Sequence, residues 1–84
     1  MNATEQQVQI AATLYEMRDK ARRLLGDKYK PCMAELGRIL QDTARETGSG
    51  VLETAIDVCK RRNLVGMDVM LTMAAAVELT EPTP

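Results

Sequence analysis

Between Val69 and Val77 the chain reads VMLTMAAAV, a run whose one polar side chain is Thr72. Successive residues of an α-helix point about 100° apart, so a helix built on this run has no polar face and has to be covered on every side. A chain of 84 residues has little with which to cover it, because short chains bury a small share of their surface. The usual supports for a small core are disulfides, a structural metal or association with another molecule. Cys32 and Cys59 are the only cysteines, histidine is absent, and no Cys-x-x-Cys spacing occurs, so neither a zinc site nor a disulfide framework is expected. The two cysteines read as small buried hydrophobes. Association with a second copy or a partner is the support that remains.

The composition favours helices. Forty-five per cent of residues are apolar, yet Phe and Trp are missing and Tyr15 and Tyr29 are the only aromatics. Leu, Met and Ala form helices readily, whereas strands favour β-branched and aromatic residues. The expected fold is one all-α domain over residues 1–84, a bundle of about four helices arranged as two hairpins, at about 5–25, 31–47, 51–63 and 68–79, with a disordered tail at 80–84. Thr4-Glu5-Gln6-Gln7 has the form of a capping box. Ile10, Leu14, Met17, Ala21 and Leu24 then recur at helical spacing, widened by Val8, Ala11, Tyr15 and Leu25, and Gly26 stands where a left-handed helix end falls. Pro31 suits a first helical position, with Asp27 able to cap an earlier start. Met33, Leu36, Leu40 and Ala44 continue as a stripe beside Cys32 and Ile39, and Gly37 inside it suggests that another helix backbone passes close by. TGSG at 47–50 is the clearest break. Leu52, Ala55, Ile56 and Cys59 form the inward face of the third helix, and Asp68 is placed to cap the fourth.

Nothing in the sequence suggests an enzyme. A recognisable nucleophile setting, a phosphate-binding glycine loop and histidine are all missing. Glu35, Asp42 and Glu46 interleave with Arg38 and Arg45 and read as a solvated, ion-paired face. No cofactor and no metal is expected. The apolar run is too short to span a bilayer and no secretory leader is visible, so the chain is expected in the cytoplasm, away from membranes.

Three sets of residues stand out as binding candidates. Residues 18–30 contain Arg18, Lys20, Arg22, Arg23, Lys28 and Lys30 with Tyr29 among them, and hold two acids. Arg18 and Arg22 lie one turn apart and Tyr15 one turn before them, a pattern that suits phosphate or a stacked base. Lys60, Arg61 and Arg62 form a second basic group in the last turn of the third helix, where the helix dipole already favours cations. Met67, Met70, Met73, Ala74 and Val77 form a band that divides the fourth helix between core and a homo-oligomer or partner interface. The stretch GVLETAIDVCKRRNLVGMDVML resembles the helix-turn-helix-like ends of DnaD-type replication proteins and of some transposases in the spacing of Leu52, Ala55, Ile56, Val69 and Leu71. The aromatic positions of the DnaD-type pattern are missing, and the resemblance assigns no residue a role.

The leading expectation is a non-catalytic helical interaction protein that self-associates and occupies a surface on a protein partner. Phages and mobile elements encode small acidic helical proteins that inhibit host machinery such as CRISPR effectors, and the analogy is one of class alone. The competing expectation is a nucleic-acid or nucleotide-binding accessory protein using the cluster at 18–30, against which the pI near 5.4 counts.

Overall fold

The computed structural model describes residues 5–80. These residues are helical apart from short connections and contain no strand. The helices are α1 (Glu5–Leu25), α2 (Tyr29–Thr47), α3 (Val51–Arg61) and α4 (Met67–Thr80), with a single 3₁₀ turn, Gly26–Lys28, joining the first two. Because that turn is itself helical, the chain runs as three continuous helical stretches, the first of them bent at Gly26.

The glycine there has φ +54°, the left-handed conformation expected of it. The second helix starts at Tyr29 rather than Pro31, with Lys28 at the cap position in a helical conformation and no side-chain cap hydrogen bond. Pro31 still lies in the first turn, where its missing N–H leaves no intrahelical bond unmade. Gly48, at φ +71°, ends α2, and Gly50 precedes α3 in an extended conformation. The third helix stops at Arg61, two residues earlier than its sequence pattern suggests, because Asn63 turns into the left-handed region at φ +52°. The fourth begins at Met67, with Asp68 inside its first turn rather than capping it, and Thr80 belongs to it. The capping threonine, Thr4, and positions 81–84 of the expected tail lie outside the described residues.

The fourth helix is the centre of the molecule, packed on by α1, α2 and α3. Ala74, Ala75 and Ala76 are wholly buried, with Thr72, Met73 and Val77 nearly so. Of the two expected hairpins the second is present, with α3 packed on α4, but the first is not: α1 lies chiefly against α4 and has little contact with α2, while the α1 and α3 backbones do not approach closely. Gly37 is buried on α2, and a Cβ there would stand 3.5 Å from the Leu79 side chain. The close neighbour is therefore a side chain of α4 and not a helix backbone.

The inward faces differ from expectation in two places. On α3 Leu52, Ala55 and Cys59 pack on the core as expected, joined by Val51, Thr54 and Val58, but Ile56 turns outward to 46 % exposure. Thr54 satisfies its hydroxyl by donating to the Gly50 carbonyl at 2.8 Å, so its burial leaves no polar group unmet. On α1 the stripe is covered only from Leu14 onward; every residue from Glu5 to Ile10 is exposed. Leu24 at the far end is exposed as well.

The alanine centre leaves no room for larger groups. Ala75→Leu should lower unfolding stability by about 1–3 kcal/mol through overpacking, seen as a lower urea midpoint. Val65→Ser, at a 77 % exposed position, should leave the midpoint within about 0.5 kcal/mol of wild type.

Candidate functional sites: a tyrosine–arginine knot and an apolar groove

The first basic cluster divides. Its inward members gather on Glu78, the first charged residue after the apolar run of α4. The Tyr29 hydroxyl donates to Glu78 Oε1 at 2.9 Å. Arg22 Nη2 donates to the same oxygen at 3.5 Å, and Arg18 Nε lies 3.9 Å from it. Arg18 also sits 3.9 Å from Asp19 Oδ1, yet its buried Nε makes no hydrogen bond among the described residues. Each guanidinium stacks on a tyrosine: Arg18 lies 5.1 Å from the Tyr15 ring centroid and Arg22 lies 5.6 Å from that of Tyr29. One carboxylate thus ties α1, α2 and α4 together. Burial and the neighbouring carboxylate push the Tyr29 phenol up to about 12, with Arg22 opposing in part.

Arg23, Lys28 and Lys30 point to solvent. The second cluster, Lys60, Arg61 and Arg62, is also exposed, with Arg61 held by Asp57 at 2.7 Å one turn earlier. Since the α1 and α3 backbones do not approach closely, the fold keeps the α1 arginines and the α3 cations apart. Arg45 pairs with Asp42 at 3.0 Å on an exposed face of α2, in keeping with a solvated, ion-paired surface there.

The methionine band divides too. Met73, Ala74 and Val77 are buried inside the chain against the other helices, so within a single folded chain they offer no surface to a second copy. Met67 is 52 % exposed and Met70 is partly exposed. The two cysteines are free and half-buried, and burial pushes the Cys59 thiol up. No group of residues able to hold a metal ion occurs among the described residues, and no helix among them is long and apolar enough to cross a membrane.

A groove of about 430 Å³ between α2, α3 and α4 was not foreseen from the sequence. Leu36, Ile39 and Leu40 of α2, Val58 of α3, Leu64 of the connection and Leu71 of α4 line it, and Arg61, Arg62 and Asp68 stand among its polar lining. Ile39 is 49 % exposed there. The sequence signal was present but divided: Ile39 lies beside the α2 stripe, Leu64 lies in a turn, and neither belongs to one periodic face. Comparison with family models, with curated proteins and with solved structures finds no match, so the helix-turn-helix-like spacing of the C-terminal half gains no support.

The knot makes two linked predictions. An absorbance titration should show a phenol ionising near 12 that is absent from Tyr29→Phe. In Glu78→Gln its pKa should fall towards 10 without reaching it, because desolvation, the largest cause, remains. Since the folded pKa lies above the unfolded one, Tyr29 supports folding fully below pH 10, and that support is lost as pH rises through 12. Stability should therefore fall across this window in wild type and fall less in Tyr29→Phe.

Proposed function

We propose that this chain is a non-catalytic interaction protein whose groove between α2, α3 and α4 receives an amphipathic helical segment of a protein partner. The observation that supports this reading is the groove itself: an apolar lining open to solvent, with two arginines and one aspartate among its polar residues. Apolar anchors at helical spacing suit such a lining, and acidic residues beside them suit Arg61 and Arg62. Apolar contact supplies affinity here, while the charged residues set orientation and steer the encounter. Inhibition of host machinery would be one use of such a surface.

The nucleic-acid reading has less to draw on. Arg18 and Arg22 face Glu78, which leaves Lys20, Arg23, Lys28 and Lys30 of the cluster to meet phosphate. Those four extend from the last turns of α1 to the start of α2 along an exposed edge. A gel shift that weakens steeply with salt would favour this reading over the groove.

Random peptides selected by display against the full chain should converge on amphipathic sequences with aliphatic residues three and four apart and an Asp or Glu alongside. Ile39→Asp, a change at a half-exposed position that leaves the fold intact by circular dichroism, should weaken their binding by about tenfold or more. Arg62→Gln should reduce the salt dependence of binding. Selected peptides without this pattern, or indifferent to Ile39→Asp, would count against the groove as the binding site.

A further inference from the structure

The first two turns of α1 are a helix without cover. At 21 residues α1 is about 31 Å long, against about 21 Å for the 14 residues of α4 on which it mainly packs, so part of it extends past its support. The uncovered part is the beginning, where Val8 is 57 % and Ile10 is 54 % exposed. Val8 and Ile10 are its exposed aliphatic residues, whereas Leu14 on the side of Ile10 already packs on the core, and Glu5, Gln9 and Glu16 lie on the other side by helical spacing. It is itself an amphipathic helix with acids beside aliphatic anchors.

We propose that the groove between α2, α3 and α4 receives the first turns of α1 from a second copy of this chain, in a reciprocal dimer that competes with other occupants. This rests on the reading of the groove as a helix-binding site. Three observations favour a second copy. Residues 5–17 contain Glu5 and Glu16 and no Lys or Arg, whereas the polar lining of the groove contains Arg62, and Arg61 held by Asp57, beside Asp68. The α1 face and the groove are both apolar and both open to solvent within one chain. Within one chain they do not cover each other, since Val8, Ile10 and the groove residue Ile39 all remain about half exposed. A twofold arrangement lets each copy give its α1 and receive the other's, which closes the contact without building a filament. The interface therefore uses α1 and the groove, in place of the buried methionine band.

Sedimentation over a micromolar to millimolar range tests this with two variants at exposed positions. The wild type should dimerise reversibly, and both Val8→Asp/Ile10→Asp and Ile39→Asp should remain folded while the dimer dissociation constant rises by about tenfold or more. Mixing the two variants should restore a weaker heterodimer, since one keeps an intact groove and the other an intact α1. A wild-type chain that stays monomeric throughout, a dimer unaffected by Ile39→Asp, or a mixture that does not re-associate would overturn the proposal. Display-selected peptides separate this from failure of the groove reading. Bound to Val8→Asp/Ile10→Asp, they should retain full affinity if the groove takes helices at all, whatever the dimer does. Loss of peptide binding in that variant would show that α1 itself, rather than the groove, holds the peptide.

Discussion

Ala74, Ala75 and Ala76 are each fully buried, and consecutive helix residues point about 100° apart, so together they require protein on every side of α4. The arrangement of the other helices follows from that requirement. Because alanine side chains are short, neighbouring helices can approach closely, and the small partners Ala21, Ala44 and Ala55 and the side of Gly37 are buried as well. The same economy limits what burial contributes. Hydrophobic stabilisation scales with the apolar area removed from water, at about 25 cal/mol per Å², and an alanine removes little. Larger aliphatics are displaced to the periphery, where Val8, Ile10, Leu24, Ile39, Ile56 and Val65 are substantially exposed.

Where the apolar run of α4 ends, polar contacts take over the joining of helices. Glu78 follows Val77 directly and is met by Tyr29 from α2 and by Arg18 and Arg22 from α1. Hydrogen bonds to a charged group contribute more than neutral ones, and the stacked tyrosines shield the guanidiniums on one face. The knot also accounts for the basic residues that look most suited to phosphate. A pair of arginines one turn apart beside a tyrosine has the same spacing whether it meets a ligand or an acid of its own chain. The spacing records the chemistry, and the fold determines the recipient.

The all-helical class was legible in the sequence because composition and periodicity agreed, and so were the breaks at Gly26 and Gly48, where left-handed backbone needs a residue without Cβ. Pairing was legible in part. Short connections suggested two hairpins, and α3 does pack on α4, but across the helical turn at Gly26–Lys28 α1 packs on α4 and has little contact with α2. Nor did the sequence show that the stripe of α1 would lose its cover before Leu14, since periodicity reports which side faces inward and not how far the neighbour reaches. On α3 one position was misplaced for a related reason. Leu52, Ala55 and Cys59 do pack on the core, but Thr54 takes an inward place once its hydroxyl is bonded to the Gly50 carbonyl, and Ile56 turns outward.

The change of side-chain size along α4 bears on both surfaces. From Met67 to Met73 its residues are mostly bulky, and from Ala74 to Ala76 they are small. The groove is lined by Asp68, Leu71 and Thr72 from the bulky half, while the fully buried alanines belong to the small half. Large side chains hold neighbouring helices apart and small ones let them close, so a gap between α2 and α3 belongs at the N-terminal half of α4. The left-handed residues Asn63 and Gly66 in the α3–α4 connection bring Leu64 to the edge of that gap. With its buried alanines in one half and its groove-lining residues in the other, α4 gives a small helical protein a core and an open apolar surface from the same helix, with the α3–α4 connection forming one edge of the site.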